Sequence, residues 1–316
     1  MGLNGYDHTQ QVNSDQGIRT QYGIILPPGA RVAAYVRSTG IQSGDDTFLA
    51  QNLVTTLAAG LARARSGMGD FVVCLPGHTE NVTDGTTFSG ALVAGTKILG
   101  VGRGGNTPTF TFTAAGSSWV VGVNDVFIGG LRLTVSAAVS TTTAISVTGN
   151  DFGFSFNEFV TANGTAVLFN AISVSGAAAR YDISNNVFRG VAPAASSQCI
   201  VIASTGDSGR IADNEMIVPL FTTAGAINVT AAATNLKILR NVINNITAAS
   251  IAGISLANVA ITGHCAYNTI TVLNTGAVVS GTTGITIGAA VTMGFFQNYV
   301  VNDPLRSGLL LPTVDT

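Results

Sequence analysis

The chain has 316 residues, of which 46% are hydrophobic and only 9% are charged, with a formal net charge of −2. This composition excludes a disordered chain, and the lack of a basic run argues against a dedicated nucleic-acid surface. The three cysteines are scattered and no apolar run is long enough for a membrane helix, so neither a disulfide framework nor a membrane span is expected.

Residues 1–44 are rich in Gln, Asn, Gly and Pro and lack the repeat found later in the chain. We interpret them as an extended N-terminal arm with one or two short strands, at 23–26 and 31–37. Arms of this kind dock onto a neighbouring molecule more often than they build a core. The first 14 residues are polar and contain no apolar signal-peptide core, so we expect the chain to be made in the cytoplasm without export.

Residues 47–65 show the one convincing helical pattern. Leucines recur at every fourth residue and would form one apolar face of a helix, at Leu49, Leu53, Leu57 and Leu61. Asp45 or Asp46 can cap the start of this helix, and Gly67 can end it. A short buried strand should follow, because Phe71-Val72-Val73-Cys74 runs into the turn-forming pair Pro76-Gly77.

From residue 97 onward the chain reads as a series of short strands. Four segments come first, at 97–100, 109–113, 119–123 and 131–135, and should be the first, less regular units of a repeat. From about residue 144 to residue 302 two motifs then recur together every 27 to 31 residues. One is a small residue followed by Ile, any residue and an aliphatic residue, starting at Ala144, Ala171, Cys199, Ala226, Gly253 and Gly284. The other is Asn-x-apolar, at Asn157, Asn186, Asn214, Asn241, Asn268 and Asn298.

The repeat indicates a stacked architecture in which each unit buries its apolar face against the next. Three residues before and two residues after each asparagine the chain is apolar in every repeat, as expected for inward-facing positions on two strands that flank a corner. Asn suits the corner because it tolerates the left-handed conformation and can bond to the Asn of the next turn. Three strands per turn of about 27 residues describe an all-β parallel β-helix over 45–302, with a short tail at 303–316.

The row of corner asparagines, and the helix followed by a strand that runs from Gly69 through Pro76-Gly77 to Glu80, resemble the pectate-lyase-like right-handed parallel β-helix superfamily. The resemblance covers 45–302. It implies a right-handed coil whose first turn is plugged by the helix. It implies no particular activity, because one scaffold hosts unrelated functions.

Within that superfamily the chain looks most like the small β-helix proteins of tailed-bacteriophage virions. It shares with them a leaderless arm, a helix-capped coil of small side chains and few charges. The resemblance implies a structural virion protein that forms a homotrimer and serves as a capsid decoration, head fibre or tailspike. Its N-terminal arm would bind the major capsid protein or another virion protein, after synthesis in the cytoplasm of the bacterial host.

An enzyme of this architecture would need paired carboxylates on one outward ladder of side chains. The candidates are Glu158, Asp213 and Glu215, of which Glu158 and Glu215 each follow a corner Asn, two turns apart. Glycosidases hold their two carboxyl groups roughly 5 to 9.5 Å apart. Two turns of a regular stack span about 10 Å, since strands lie about 4.8 Å apart.

Stacked ion pairs are the simpler interpretation of most of these acids. Asp182 falls one turn from Arg210, and Asp213 falls one turn from Arg240. Pairs at this spacing are ordinary cross-strand contacts worth roughly 0.2–1 kcal/mol. Of the signature motifs of polygalacturonases, only Gly-His-Gly has a partial match in this chain, at Gly263-His264-Cys265. The calcium-binding aspartates of pectate lyases have no recognisable counterpart.

The sequence therefore favours a structural protein over an enzyme, with no cofactor or metal and no nucleic-acid or membrane partner. The alternative is a tailspike-type protein that binds or depolymerises a polysaccharide. Its outward groove would be lined by the three candidate carboxylates, together with aromatic residues such as Tyr267 and Tyr299.

Overall fold

Short strands joined by tight corners wind the chain into a parallel β-helix with three sheets, which confirms the predicted all-β architecture. The computed structural model describes residues 11–13, 17–19, 25–26, 29–42, 47–136, 140–161, 167–190, 198–218, 225–245, 253–257, 260–272, 284–301 and 308–309. Equivalent corner asparagines of successive turns are 27 to 30 residues apart in the chain. Seven turns contribute a strand to all three sheets. The right hand of the coil stays a prediction.

The strands of successive turns pair in parallel and in register. Sheet 1 has 11 strands: Val32–Val36, Leu53–Val54, Phe71–Cys74, Lys97–Gly100, Phe127–Gly129, Gly153–Ser155, Asp182–Ser184, Arg210–Ala212, Leu236–Leu239, Thr262–Ala266 and Thr292–Phe296. Sheet 2 has 10: Thr79–Val82, Thr109–Phe112, Arg132–Val135, Glu158–Thr161, Val187–Arg189, Glu215–Val218, Val242–Asn245, Thr269–Val272, Tyr299–Val301 and Gly308–Leu309, the last pairing antiparallel. Sheet 3 has 7: Trp119–Val121, Ser140–Val147, Val167–Gly176, Gln198–Ser204, Ile227–Val229, Ile254–Leu256 and Ile285–Ile287.

The core is a set of apolar rows that run along the inside of the coil. Alternate residues of each strand point inward, so the same position recurs in every turn. The residue three before each corner asparagine is fully buried in five successive turns, at Phe154, Ile183, Ile211, Ile238 and Cys265. On sheet 2 the rings of Phe159 and Phe188 stack with their centroids 5.8 Å apart. Burying one such side chain contributes about 1.5–3 kcal/mol, and every turn repeats several of them.

The single helix predicted over 47–65 is wrong, because a short strand interrupts it. Helix α1 covers Thr47–Asn52, Leu53–Val54 joins the edge of sheet 1 beside Tyr35–Val36, and helix α2 covers Leu57–Leu61. Val54 accepts a hydrogen bond from the backbone N–H of Arg37 at 2.9 Å, which a continuous helix would not allow. Thr56 then starts α2 as its N-cap, since its side chain accepts from the N–H of Ala59.

The leucine pattern predicted burial correctly although it did not predict one helix. Leu49, Leu57 and Leu61 are all buried, on two separate helices. The candidate caps Asp45 and Asp46 lie outside the described residues. Gly67 does have a positive φ of 74°, but Ala62 already forms the C-cap of α2, so Gly67 belongs to the following loop.

The N-terminal end of the coil is closed by α2 and by helix α3, Thr87–Ala91, while a 3₁₀ turn covers Gly104–Asn106. Phe88 of α3 stacks on Trp119 with a centroid separation of 4.8 Å, and the edge of Phe110 meets the same indole at 4.9 Å. These rings cover the apolar rows of the first turns, where no preceding turn does so.

The predicted boundary between arm and coil, at residue 45, is too late. Val32–Val36 pairs in parallel with Phe71–Cys74 and is therefore a strand of the coil. Upstream, Gln11–Asn13, Gly17–Arg19 and Ile25–Leu26 form a separate antiparallel sheet of three strands. Of the predicted tail, only Gly308–Leu309 lies within the described residues.

Candidate functional site

The corner between sheets 1 and 2 carries an unbroken ladder of buried asparagine side chains. In Asn214, Oδ1 accepts from the backbone N–H and from Nδ2 of Asn186, both at 3.0 Å. Its own Nδ2 donates to the carbonyl of Ile183 and to Oδ1 of Asn241, both at 2.9 Å. The same bonds recur from turn to turn through Asn157, Asn186, Asn214, Asn241, Asn268 and Asn298, which are at most 2% exposed.

The asparagines themselves do not adopt the left-handed conformation that we had expected of them. The residue before each asparagine does, with φ between 45° and 61°, at Phe156, Asn185, Asp213, Arg240, Tyr267 and Gln297. This residue lies where the chain passes from sheet 1 to sheet 2, and the side chain of the asparagine that follows is buried. A left-handed non-glycine residue costs about 1–2 kcal/mol, which the ladder of hydrogen bonds offsets.

Glu158, the first candidate catalytic acid, lies between two arginines on the outward face of sheet 2. Its Oε2 is 3.1 Å from Nε of Arg132 on the preceding turn. Its Oε1 is 3.9 Å from Nε of Arg189 on the following turn. Each carboxylate oxygen of Glu158 therefore faces an arginine.

Asp213, the second candidate, belongs to a chain of four charges that crosses three turns. Arg240 donates to both of its oxygens, at 2.6 and 2.7 Å, and Arg210 donates to Oδ2 at 3.1 Å. Arg210 also binds Asp182 at 2.9 Å. The hydrogen bond from Arg240 outweighs partial burial and holds the pKa of the Asp213 carboxyl below its ordinary value. A lowered pKa keeps the carboxyl ionised near neutral pH, which does not favour a role as general acid.

Glu215, the third candidate, has no ion-pair partner among the described residues. It lies in the same outward row as Glu158, two strands further along, with Val187 between them. At about 4.8 Å per strand the two backbone positions are about 10 Å apart, beyond the spacing of a retaining pair. The structure thus brings Asp213 and Glu215 to the two sides of one corner asparagine, and leaves Glu158 two turns away.

Among the described residues, the ion pairs of the repeat region lie on sheets 1 and 2 and at the corners beside sheet 1. Lys97 binds Asp125 at 2.5 Å and Arg180 binds Asp151 at 2.6 Å, at the corner through which the chain enters sheet 1. The other ion pairs lie on sheets 1 and 2 or at the corner between them. The strands of sheet 3 contain no Asp, Glu, Lys, Arg or His in any of their seven turns. This face therefore offers no general acid or base.

A buried polar cluster at the N-terminal end was not foreseen from the sequence. His78 is fully buried, and its Nε2 lies 3.1 Å from Oε2 of Glu80, which also accepts from the backbone N–H of Leu57 at 2.7 Å. No partner is present for Nδ1 of His78 within the described residues. These bonds join the start of α2 to the first strand of sheet 2, and a cleft lined by Glu80, Asp84 and Trp119 runs beside them.

Asp70 forms a second unforeseen cluster. It is fully buried and binds Nη2 of Arg65 at 2.6 Å and Nε of Arg31 at 3.4 Å. Burial alone would raise the pKa of Asp70, but hydrogen bonds from the side chain and backbone of Arg65 and from the backbone of Arg31 lower it to about 2. The carboxylate ties the first strand of the coil to the loop after α2. The sequence carries no local signal for it, because the three residues meet only when the first two turns stack.

Nothing in the described residues resembles a metal centre or a thiol nucleophile. No group of three or more His, Cys, Asp or Glu side chains converges there. Cys74, Cys199 and Cys265 are buried and unpaired, and burial raises the pKa of each thiol, to about 12 for Cys265. Of the helices in the described part, none is long and apolar enough to cross a membrane.

Comparison with known proteins adds no relative: no family model, no curated protein and no solved structure matches the chain. The parallel β-helix is therefore established by the strand pairing alone. The narrower resemblances to pectate-lyase-like proteins and to phage virion proteins rest on the sequence features described above.

Proposed function

We propose that the chain is a structural virion protein of a tailed bacteriophage, a capsid decoration or head-fibre protein that assembles as a trimeric β-helix. The pairing of its charges carries the proposal. Glu158 and Asp213 are each held by two arginines, so the outward ladder resembles the neutralised surface of a rigid rod more than an active site. The assignment to a phage is supported by the resemblance of its N-terminal arm and small-residue coil to such proteins.

The proposed role requires a stiff body and a means of attachment. Stacked turns whose corners are tied by hydrogen bonds from asparagine to asparagine supply the stiffness. The uncharged strands of sheet 3 favour close packing of a neighbour along the coil, because no charge has to be desolvated there.

The N-terminal arm is the proposed attachment to the capsid. Its antiparallel sheet has strands of only two or three residues, at Gln11–Asn13, Gly17–Arg19 and Ile25–Leu26. So small a sheet is marginally stable on its own in water, which favours docking onto a partner such as the major capsid protein. The protein would then reach the virion directly from the cytoplasm of the host bacterium.

Quantitative mass and density analysis of purified particles tests this proposal. We expect the chain in many copies per particle, in a fixed ratio to the major capsid protein. A chain that lacks residues 1–28 should fold and stay off the particle. A copy number of only a few would contradict capsid-wide decoration and favour a tail location, and absence from the particle would overturn the virion role.

One observation favours the second candidate, a tailspike-type protein that binds or cleaves polysaccharide. Glu215 is a partly exposed carboxylate without an ion-pair partner among the described residues, beside Asp213 at the same corner. Depolymerase assays on a broad glycan panel test this role, with Glu215→Ala and Glu158→Ala as variants. Cleavage by the wild type that is lost in Glu215→Ala supports an enzyme, whereas an inactive wild type removes it.

A further inference from the structure

A cleft opens at the N-terminal end of the coil, beside the first strand of sheet 2. It is lined by residues of α2, of α3 and of the strand Thr79–Val82. Its buried apolar lining consists of Leu57, Phe88 and Trp119. The cleft holds about 370 Å³ of space, part of it open to solvent. That is room for one side chain and a short piece of backbone, near the lower limit of ligand pockets, which hold roughly 300–1,000 Å³.

The strand at this cleft, Thr79–Val82, is the outermost strand of sheet 2, so one of its edges has no neighbouring strand. The carbonyl of its last residue accepts from the N–H of Thr113 on the paired edge. The N–H of its first residue points the other way and donates to Oγ of Ser38 at 3.2 Å. Because the backbone groups of successive residues alternate between the two edges, the N–H and C=O of Asn81 lie on the free edge. Asn81 also lines the cleft.

Two carboxylates line the cleft, and no Lys, Arg or His among the described residues does so. Oε2 of Glu80 accepts from the first N–H of α2 and faces Nε2 of His78, whereas Oε1 has no hydrogen-bond partner within the described residues. Hydrogen bonds from the backbone and hydroxyl of Thr87, and from the residue before it, lower the pKa of Asp84 to about 2. The cleft is therefore negatively charged and complementary to a cation.

The chemistry of the cleft fits a side chain that is apolar along its stem and cationic at its tip. Lys and Arg have this form. The free edge at Asn81 supplies an N–H and a C=O for an extended backbone that carries such a side chain, since an exposed strand edge is a template for pairing with another chain. The cleft and the edge together therefore fit a basic residue within an extended segment.

The two ends of this chain do not have that chemistry. Residues 1–28 contain two aspartates and one arginine, and residues 303–316 contain the same. Each end thus carries one more acid than base and would be repelled by Glu80 and Asp84. Charge complementarity favours a different protein as the source of the segment.

We propose that the cleft binds an extended segment of a partner protein that carries Lys or Arg. The segment pairs with the free edge of sheet 2 at Asn81, and its basic side chain enters the cleft and binds the free carboxylate oxygen of Glu80. This site goes beyond the virion role proposed above and does not depend on it. It belongs to the coil itself rather than to the N-terminal arm.

Fluorescence titration of the full chain tests the inference, because Trp119 is the only tryptophan in the sequence and lines the cleft. The probe is the blocked peptide Ac-Thr-Val-Lys-Val-Thr-NH₂, and the same peptide with Glu at its centre is the control. Neither peptide contains an aromatic residue. n-Butylammonium chloride, a third probe, supplies the cation without a peptide backbone.

Four variants separate the charge of the cleft from the pairing of the backbone. Glu80→Gln removes the charge and keeps an acceptor oxygen for the N–H of Leu57. Its control is Asp207→Asn, which removes an exposed acid on a turn five strands further along sheet 1. Asn81→Pro removes the N–H on the free edge, a change that an edge strand tolerates, and Asn81→Ala keeps that N–H. Circular dichroism shows whether each variant is folded.

We expect the lysine peptide to change the Trp119 emission saturably, and Glu80→Gln and Asn81→Pro each to raise its dissociation constant about tenfold or more. The controls Asp207→Asn and Asn81→Ala should bind it as the wild type does. Absence of a saturable change at millimolar peptide overturns the inference, as does equal binding of the glutamate peptide. Unchanged binding by Glu80→Gln or Asn81→Pro, or equal weakening by their controls, also overturns it.

Two other occupants of the cleft are distinguished in the same experiment. Trp119 emission that changes with protein concentration in the absence of peptide would place a second copy of the chain there and overturn the inference. Binding of n-butylammonium as tight as that of the lysine peptide would overturn it in favour of a small amine. Particle assays are scored separately, so a chain that is absent from particles contradicts only the virion role.

Discussion

Each corner asparagine satisfies buried backbone groups of the preceding turn. The side chain of Asn214 accepts a hydrogen bond from the backbone N–H of Asn186 and donates one to the carbonyl of Ile183. A buried backbone group without a partner costs about 1–3 kcal/mol, whereas a satisfied one is nearly neutral. The amide has an acceptor oxygen and two donor hydrogens, and the ladder uses all of them, whereas an ionised Asp cannot donate and Ser has only one donor hydrogen.

Replacing Asn214 by Ala should therefore lower the free energy of unfolding by about 3 kcal/mol, because the N–H of Asn186 and the carbonyl of Ile183 lose their partners together. Chemical denaturation measures the change. The control is Asn244→Ala, the same substitution at a partly exposed strand position of sheet 2, which should stay within about 0.5 kcal/mol. Equal losses in the two variants would contradict the role of the ladder.

The Asp70 cluster should make the stability of the fold depend on pH in the acid range. Its pKa in the folded chain is about 2, below the ordinary value of 3.8, so its contribution to stability is complete above about pH 4 and is lost as the pH falls through 2. Asp70→Asn should be less stable than the wild type by about 2 kcal/mol at neutral pH, since two arginines lose a charged partner. The difference should shrink as the pH falls from 4 towards 2.

Urea denaturation at a series of pH values measures this difference. Asp207→Asn is the control, because Asp207 is exposed and forms no ion pair within 4 Å among the described residues, its charge acting on Arg180 only at longer range. It should match the wild type at every pH. A difference between wild type and Asp70→Asn that does not depend on pH would show that the carboxylate charge is not what holds the first strand.

At the scale of elements, the sequence predicts strands better than it predicts the helical cap. The strands repeat the same pattern in each turn, so errors in one turn are corrected by the others, and Lys97–Gly100 was predicted to the residue. The cap occurs once. Its leucine spacing is helical, but Leu53–Val54 gains more by pairing with the open edge of sheet 1, a contact between distant segments that no local pattern reveals.

The ion pairs of the candidate site were likewise predicted only in part from the sequence. The alignment of the repeats places Asp182 beside Arg210, and the two groups are 2.9 Å apart. It does not place Arg132 and Arg189 around Glu158, since Arg189 reaches across from a different position in its strand. A long side chain can reach several neighbours, and which of them it contacts depends on the three-dimensional packing.

The carboxylate of Glu80 links α2 to the first strand of sheet 2. Glu80→Ala should remove the acceptor of the Leu57 N–H and the partner of buried His78, and lower stability by about 2 kcal/mol. Glu80→Gln keeps an acceptor oxygen and should lose less than about half as much. Hydrogen exchange should show faster exchange of the α2 amides in Glu80→Ala, with the amides of sheet 3 unchanged. Similar losses in both variants would mean that the negative charge, rather than the hydrogen bond, joins the two elements.

At the scale of the whole molecule, neighbouring strands in the described part of the repeat come from successive turns, so each turn pairs with the turns beside it. Stability in such a stack is close to a sum over turns and their interfaces. The length of the coil is therefore free to vary by whole turns, while the register within a turn is not, since a shift by one residue sends every inward side chain outward.

Deleting residues 182–209 tests this modularity directly. Asp182 and Arg210 are paired across neighbouring turns, 28 residues apart, so the deletion joins Tyr181 to Arg210 and removes one complete turn in register. Asn214 then stands where Asn186 stood, and can accept from Asn157. We expect a folded coil with an unchanged β-sheet circular dichroism spectrum per residue, shorter by about 4.8 Å in small-angle scattering.

Deleting residues 182–195, half that length, brings polar residues into the inward rows and should abolish cooperative unfolding. If both deletions unfold the chain alike, the turns are not interchangeable units, and the stability of the coil must depend on contacts particular to the deleted turn.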